Sequence, residues 1–351
     1  VFKCLQRIYI LKYAMLFNYT IILLLLIISS TAIAQDIAEE GYIDKTYNLI
    51  SDKVIDSANY LDNSINNILK NSDKNTTLNR IDKTSKNKNS VDSFFRTKKF
   101  TDETDETYVS VKFKSIFHSK ETSKFNIGVT ARIPLSKSTK KYNLFINGLK
   151  KNDTSNPVTE QFNEQTGTEI GVNYFAPLFH KIKSRYSVGA NGLNLFSIAR
   201  YSIEKDFYSW NILTAETFKY SLKNLFEEET NIYFDKSLSD SRLFRTTLSR
   251  GTQEKKSGMD YSLVLAHYWV FNKTAALNLS QLFSGNTQYE YETKKYRGIT
   301  NYTTALSFRK SALRKWFFYG ITPSLNFNKQ YDYKVNYGLN FYLESYFGHL
   351  K

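Results

Sequence analysis

The chain contains few of the residues that crosslink, kink or catalyse. Its 351 residues include one cysteine, four prolines, two methionines and four histidines. The cysteine, Cys4, lies in an N-terminal segment that we expect to be removed, so no disulfide or cysteine metal site is predicted for the mature protein. A long secreted chain without disulfides depends on burial and hydrogen bonding alone.

Long apolar runs are also absent, apart from one near the N-terminus. That run, residues 21–28, follows the basic residues Lys3, Arg7 and Lys12 and precedes the small-residue pattern at 32–34. The run is too short to span a bilayer, and the three-part pattern predicts a cleaved signal peptide over residues 1–34. Because no later run reaches helix-spanning length, a membrane-spanning part has to be a β-barrel.

Aromatic residues, by contrast, are abundant. Tyr and Phe each occur 26 times and aromatics make up 16% of the chain, although its mean hydropathy is only −0.44. In transmembrane barrels, rings gather at both lipid–water interfaces while alternate residues of each strand face a polar interior. This combination predicts an outer-membrane protein of a Gram-negative envelope, with its N-terminal segment in the periplasm.

Three regions follow the signal peptide. Residues 35–71 are predicted to form an amphipathic periplasmic helix, because apolar residues recur there at steps of three and four, at Ile43, Tyr47, Ile50, Val54, Ala58, Leu61, Ile65 and Ile68. Residues 72–107 are predicted to be a polar linker with a short helical turn within 91–100. The role of the long helix stays open: it could be a plug, a partner-binding arm or a short coiled coil, but a helix that is packed on the periplasmic rim or loosely tethered is favoured.

From residue 108 onward, apolar and polar residues alternate with a period of two. In the last strand, Val335, Leu339 and Phe341 share one face while Asn336 and Glu344 take the other. Such alternation predicts strands with a lipid side and a lumen side. Residues 108–351 are therefore predicted to form an all-β transmembrane antiparallel β-barrel of about fourteen strands, with twelve as the alternative. With both ends in the periplasm, the longest connections, 150–165, 251–258 and 285–294, lie outside the cell.

The last strand also resembles the signal by which barrel-assembly machinery recognises its substrates. Its polar-x-Gly-x-x-apolar-x-apolar pattern consists of Asn336, Gly338, Phe341 and Leu343, and Phe347 is a displaced closing aromatic. We therefore expect the assembly machinery to be a partner of this chain.

A family resemblance rests on three stretches, residues 132–146, 244–263 and 314–348. They resemble a group of uncharacterised proteobacterial outer-membrane proteins, most specifically in the run Trp316–Pro323 and the closing Phe347-Gly348. The likeness covers most of residues 91–348. It implies an envelope location and a barrel, and since that group has no established activity, it implies no functional residue.

Charged residues within the strands indicate the character of the lumen. A charged side chain on the lipid face costs about 2–4 kcal/mol at the bilayer midplane, so an inward position is expected for each. The residues predicted to line the lumen are Lys112, Lys114, Arg132, Glu169, Arg200, Glu204, Glu216, Asp235, Arg245, Arg309, Lys334 and Glu344. They fit either an anion-preferring pore or a neutralising network that fills the lumen. The pore is favoured because side chains alone rarely fill a barrel of this size.

Net charge favours membrane contact over nucleic acid. The formal charge of +15 comes largely from basic residues in turns, such as Lys137, Lys140 and Lys141, and no basic helix carries stacking aromatics. This distribution suits outer-membrane lipid and lipopolysaccharide headgroups, and no nucleic acid is expected as a partner. A protein partner of the N-terminal helix stays unknown.

The four histidines give little support for an enzyme. His118 lies near Ser119 and Glu121 in a predicted outer turn, and the facing of His267 is unassigned. Neither a phosphate loop nor metal-ligand spacing occurs, so no catalytic residue, metal or cofactor is predicted. Three hypotheses follow in order: a passive channel or transport pore with a charged lumen, a closed structural or adhesive barrel that binds a partner through its loops or N-terminal helix, and a barrel hydrolase.

Overall fold

The computed structural model describes part of the chain, namely residues 41–70, 90–95, 107–135, 142–148, 168–291, 294–296, 298–312 and 314–348. The predicted signal peptide and most of the predicted linker lie outside these ranges. Two helices precede the strands, α1 (Tyr42–Lys70) and α2 (Ser90–Phe95). The first lies within the predicted amphipathic helix 35–71, and the second overlaps the short helical turn predicted within 91–100. No helix in the described ranges is long and apolar enough to cross a membrane.

Fourteen of the described strands form one closed antiparallel barrel, in which β1 pairs with β16 to complete the ring. The fourteen-strand prediction is confirmed. The barrel strands are β1 (Tyr108–His118), β2 (Lys124–Leu135), β3 (Tyr142–Asn147), β4 (Glu169–Phe175), β5 (Ile182–Asn191), β6 (Asn194–Phe207), β7 (Trp210–Ser221), β8 (Leu225–Ser239), β9 (Arg242–Gln253), β10 (Lys256–Asn272), β11 (Ala275–Asn286), β14 (Asn301–Ser311), β15 (Phe317–Asn328) and β16 (Val335–Gly348). A separate hairpin consists of β12 (Tyr289–Tyr291) and β13 (Lys294–Tyr296).

The barrel has two different ends. At the terminal end, Tyr108 at the start of β1 pairs with Gly348 at the end of β16. At the loop end, β3 ends at Asn147 and β4 begins at Glu169, and the β12–β13 hairpin lies between β11 and β14. The long connection predicted over 251–258 is wrong, because β9 and β10 keep pairing up to a two-residue turn, Glu254-Lys255. The two longest intervals between paired barrel strands, after β3 and after β11, therefore begin and end at the same end of the barrel.

The outer wall is apolar because alternate residues of each strand point away from the lumen. Ile127 is 72% exposed and Tyr337 is 60% exposed, and large exposed side chains of this kind lie all around the ring. In water such a surface would be unfavourable, whereas lipid accommodates it without cost. This band is the lipid-facing belt of a membrane-spanning barrel.

Inside the barrel, aromatic rings lie flat against glycines of the neighbouring strand. A Cβ atom added at Gly189 would come within 2.6 Å of Phe196 Cζ, and one at Gly320 would collide with the ring of Tyr342. Lys219 covers the open face of the Phe196 ring, with Nζ 4.9 Å from the centroid. These close approaches fix the register between adjacent strands.

We expect Gly189→Ala to destabilise the barrel by about 1–3 kcal/mol, because the new methyl collides with the Ile170 carbonyl oxygen and the Phe196 ring. The measurement is the urea midpoint of unfolding of the refolded chain, followed by its heat-modifiable gel mobility. Gly251→Ala is the matched control, since its Cβ would approach nothing closer than the Glu228 carbonyl oxygen at 3.4 Å. Equal midpoints for the two variants would show that the ring contact does not restrict the position.

Candidate functional site: the lumen and its plug

The lumen wall is polar, and hydrogen bonds link its side chains across the strands. On β14 and β15, Asn326 Nδ2 donates to Asn301 Oδ1 at 2.6 Å and to Thr303 Oγ1 at 2.7 Å. Nearby, Thr322 Oγ1 donates to Ser307 Oγ at 3.0 Å. All of these residues face inward and are buried. The wall therefore offers polar groups to the lumen while satisfying many of them itself.

Several of the predicted lumen charges form ion pairs between strands. Arg245 donates from Nε and Nη2 to the two carboxylate oxygens of Asp235, both at 2.6 Å. Lys219 Nζ lies 3.0 Å from Glu169 Oε1. Both Arg245 and Asp235 are buried, and bidentate geometry makes this the strong form of an ion pair. These two ion pairs neutralise their own charges within the barrel wall.

A second cluster joins the closing strand β16 to β1 beside it and to β14 two strands away. Glu344 on β16 pairs with Lys112 on β1, Nζ to Oε1 3.4 Å, and with Arg309 on β14, Nη2 to Oε2 3.2 Å. Ser110 Oγ also donates to Glu344 Oε1 at 3.0 Å. All three ionised side chains are buried, so the cluster places two positive charges around one negative charge inside the barrel.

The remaining inward charges differ in how they are partnered. Glu204 pairs with Lys183 at 3.5 Å, and Arg200 Nη1 donates to Thr217 Oγ1 at 3.3 Å. Lys114 is buried on the inward face of β1. Arg132 is the exception: it is only 7% exposed, its Nε makes no hydrogen bond, and it forms no ion pair with an acidic side chain of the residues that the structure describes. A buried cation without a counter-charge is unfavourable unless an anion comes to it.

Two of the predicted lumen positions are corrected by the structure. Glu216 faces outward, because it lies opposite the outward Tyr201 while its strand neighbour Ala215 is buried on the inner face. Thr230 Oγ1 donates to Glu216 Oε2 at 2.7 Å, which partly satisfies the carboxylate there. Lys334 is exposed in the turn before β16, because the chain forms a 3-10 turn at Lys329–Tyr331 before the strand begins.

Helix α2 lies inside the barrel. Val91 is 0% exposed and Phe95 is 1% exposed, and the Phe95 ring meets Tyr268 edge-to-face with 5.2 Å between the centroids. They pack on an inward apolar patch that consists of Leu243, Val264, Ala266, Tyr268, Ala276, Leu282 and Ala305. We call α2 the plug, because it fills the lumen beside strands β9 to β14.

Arg309 joins the plug to the barrel wall. Its guanidinium lies 4.4 Å from the centroid of Phe318 and 5.9 Å from that of Phe94, and Nη1 donates to the Phe95 carbonyl oxygen at 3.5 Å. Nη2 donates to Tyr346 Oη at 3.2 Å. The same side chain that pairs with Glu344 therefore also stacks on the plug.

Helix α1 packs at the terminal end, against β2 and β16. The Tyr47 ring stacks on Trp316, with 4.3 Å between centroids and 6° between planes. Arg314 donates from Nε and Nη2 to the carboxylate of Asp44, both at 2.6 Å. Of the predicted apolar stripe, Ala58 is buried whereas Ile43 is 63% exposed. Only part of the predicted apolar stripe is therefore buried.

The Arg314 contact also alters the titration of Asp44. Hydrogen bonds from the guanidinium hold the pKa of the Asp44 carboxyl below its ordinary value, and the same bonds raise the pKa of Arg314. A carboxyl with a lowered pKa in the docked state strengthens docking when it is ionised. The contribution is therefore complete above the ordinary carboxyl pKa and is lost as the pH falls through the lowered one.

The residues proposed for assembly recognition follow the strand alternation. Asn336 and Gly338 face inward, and Asn336 Oδ1 accepts from Ser119 Oγ at 3.1 Å and from the Lys120 backbone N–H at 3.0 Å. Phe341, Leu343 and Phe347 share the outward face, and Phe347 lies 5.8 Å from Tyr47. Recognition by the assembly machinery stays a prediction.

The histidines form no relay in the described residues. His118 faces inward beside Gly338, and its Nδ1 is buried without a hydrogen bond. His267 faces outward and packs on Trp269, with 3.9 Å between ring centroids. Within the described ranges, no three His, Cys, Asp or Glu side chains are grouped so as to hold a metal ion.

Comparisons with known proteins report similarity of structure without similarity of sequence. No family model and no curated protein matches the chain. Similar solved structures include a loop-deletion form of OmpT, an outer membrane protein of Vibrio cholerae, at 8% identity and TM-score 0.44 over 69% of this chain and 98% of that one. An anion-selective porin from Comamonas acidovorans has 8% identity and TM-score 0.43 over 68% and 98%, and the outer membrane channel DcaP of Acinetobacter baumannii has 8% and 0.42 over 68% and 96%. Such values transfer no residue role and no substrate.

The plug contact is testable by labelling, because the only cysteine of the chain, Cys4, is removed with the signal peptide if that prediction holds. We expect a cysteine in place of Val91 to react slowly with a maleimide dye in the folded protein. Adding Phe94→Ala and Phe95→Ala should accelerate labelling at least tenfold, because the plug loses its ring contacts. A cysteine in place of the exposed Ser57 on α1 is the control and should react equally in both backgrounds.

Docking of α1 should weaken as the pH falls below about 4, the ordinary range of an aspartate carboxyl. Trp316 reports the contact through its stacking on Tyr47, so its fluorescence in a Trp210→Phe, Trp269→Phe protein is the measurement. Asp44→Asn should remove the transition and give the low-pH signal at neutral pH. A transition that persists in Asp44→Asn would assign the pH effect to another group.

Proposed function

We propose that the protein is an outer-membrane channel whose lumen is closed by the α2 plug in the state described. One observation carries the proposal: a separate six-residue helix covers the apolar patch of a lumen whose wall carries many polar and charged side chains. A barrel filled only for stability would use its own inward side chains. The plug is a separate segment, held mainly by the Phe94 and Phe95 rings and by the contacts of Arg309 with them. It leaves the lumen when those contacts break.

The proposed setting is the outer membrane, with the terminal end and α1 in the periplasm. This is supported by the outward apolar belt, which requires lipid, and by the longer connections at the loop end, as is usual for the outside of bacterial barrels. Exposed lysines at the loop end, Lys223 and Lys255, suit anionic headgroups such as those of lipopolysaccharide. Insertion by the barrel-assembly machinery belongs to the same proposal.

We further propose that the channel prefers anions, and that Arg132 provides the preference. Arg245 and Arg309 are committed to Asp235 and Glu344, so they stabilise the wall rather than attract solute. Arg132 has no counter-charge among the described residues and lies inward between Tyr108 and Phe145 on the neighbouring strands. A solute anion is the partner that this guanidinium lacks.

Catalysis is not part of the proposal. A hydrolase needs a nucleophile hydrogen-bonded to its base, and His118 Nδ1 makes no hydrogen bond although Ser324 lies close by across Gly338. His267 is stacked on Trp269 at the outer wall. A closed structural barrel stays the alternative, since it shares every ion pair described and differs only in whether the plug leaves.

Single-channel conductance in planar lipid bilayers distinguishes the plugged channel from the closed structural barrel. We expect the mature wild-type chain to open rarely, and Phe94→Ala, Phe95→Ala to give steady ohmic steps because the plug is released. Heat-modifiable gel mobility verifies that both proteins are folded. A folded double variant that stays silent would contradict the channel and favour the structural barrel.

Ion selectivity of the unplugged variant tests Arg132. Arg132→Gln should shift the reversal potential in a salt gradient towards no preference, because the unpaired inward charge is gone. Lys236→Gln is the control, since Lys236 lies on the outer wall over the Trp210 ring and contributes no charge to the lumen. An unchanged reversal potential in Arg132→Gln would contradict the proposed anion site at Arg132, but it would not contradict the proposed channel.

A further inference from the structure

The plug meets the lumen wall through two kinds of contact, one aromatic and one polar. The Phe95 ring lies edge-to-face on Tyr268, with 5.2 Å between the centroids. The Phe94 ring meets Phe318 in the same way at 6.2 Å. On the polar side, the Phe95 carbonyl oxygen accepts from Arg309 Nη1 at 3.5 Å. A single dipeptide of the plug therefore offers the wall two aromatic rings and one acceptor.

The guanidinium of Arg309 is only partly satisfied by its contacts. The side chain is buried, yet its Nε makes no hydrogen bond. Tyr346 and Glu344 hold Nη2, both at 3.2 Å. The bond from Nη1 to the plug is longer, beyond the usual range of about 2.7–3.2 Å. A carboxylate forms shorter and stronger bonds with a guanidinium than a backbone carbonyl does, so it would be the better partner for Nη1.

The ion cluster around this donor also carries an excess of positive charge. Lys112 and Arg309 both lie within 3.4 Å of Glu344, so two positive charges surround one negative charge. The carbonyl group of the plug adds no charge to them. One further carboxylate would make the group neutral, and its attraction to the cluster is strong because the local dielectric inside the wall is low.

The apolar side of the site needs a cover. The residues of the inward patch are between 0 and 2% exposed while the plug is in place. Without the plug they would face water, which is unfavourable for apolar surface. A ligand that replaces the plug therefore needs an apolar body, and the rings of Phe318 and Tyr268 favour an aromatic one. An inorganic anion would satisfy Arg309 alone, and a neutral apolar compound would satisfy the patch alone.

We infer that the plug site binds aromatic carboxylates, and that the plug occupies it as an internal mimic of such a ligand. The ring of the ligand takes the place of Phe95 beside Tyr268, and its carboxylate takes the place of the Phe95 carbonyl at Arg309 Nη1. The pair between Arg309 and Glu344 stays intact, and Arg132 keeps its separate role towards passing anions. Ligand and plug exclude each other. This role rests on the proposed function, since it requires a plug that is able to leave.

The probe for this site is 3-phenylpropionate, whose ring and carboxylate suit the 5.9 Å between the Arg309 guanidinium and the Phe94 centroid. Its affinity is measured by equilibrium dialysis of the full mature chain in lipid nanodiscs, with empty nanodiscs as the blank. We expect Phe94→Ala, Phe95→Ala to bind it about tenfold more tightly than the wild type, because the plug no longer competes. Two matched probes, 3-phenylpropionamide without the charge and propionate without the ring, should each bind about tenfold more weakly.

Substitutions in the double variant locate the site. Arg309→Gln should weaken binding of 3-phenylpropionate about tenfold and leave that of 3-phenylpropionamide unchanged, because only the charged partner is lost. Since Arg309 also stabilises the wall, Ala266→Gln is a second variant. It makes the patch polar without altering the ion cluster, and it should weaken binding of both aromatic probes. Lys236→Gln on the outer wall is the control and should change neither. Heat-modifiable gel mobility verifies that each protein is folded.

The ligand site and the channel fail in different ways. A double variant that stays silent in bilayers but binds 3-phenylpropionate selectively would contradict the channel and support the ligand site. Equal binding of 3-phenylpropionate and propionate would overturn the ligand site, even if the double variant conducts. The same holds if the folded double variant binds 3-phenylpropionate no more tightly than the wild type does.

Discussion

The ion cluster around Glu344 is the interaction on which the closed barrel depends. Glu344 pairs with Lys112 across the β1–β16 seam and with Arg309 on β14, two strands away from β16. Arg309 in turn stacks on Phe94 of the plug. Closure of the strand ring and the position of the plug therefore both involve a single buried carboxylate. A one-residue slip at the seam would turn that carboxylate into the lipid, so the cluster selects the register more than it adds stability.

Much of the fold follows from the period-two pattern. Strand starts such as Tyr108, Lys124 and Tyr142 are evident in the sequence because lipid on one side and polar side chains on the other make the alternation sharp. The tight turn after Gln253 is less evident, because Glu-Lys-Lys is as polar as a long loop. The hydrophobic pattern determines neither the geometry of a turn nor the length of a loop.

The position of the plug and the facing of individual charges were harder to predict from the sequence than the strands. The helical turn near Val91 is visible in the sequence, but its place in the lumen depends on contacts with strands more than a hundred residues later, such as Tyr268. The one available signal is β10, whose two faces are both largely apolar between Tyr261 and Phe271. An expected inward position for Glu216 fails on β7 because the inward face there carries Leu213 and Ala215.

These departures from the barrel rule share a physical meaning. The rule places apolar residues outward and polar residues inward, and each violation leaves surface that neither lipid nor water satisfies. The inward apolar patch near Tyr268 is matched by the chain's own plug. The outward charged network of Glu216, Thr230, Glu228 and Arg250 is instead joined by its own hydrogen bonds. In a barrel of this kind, the residues that break the alternation are therefore the ones that identify its contacts.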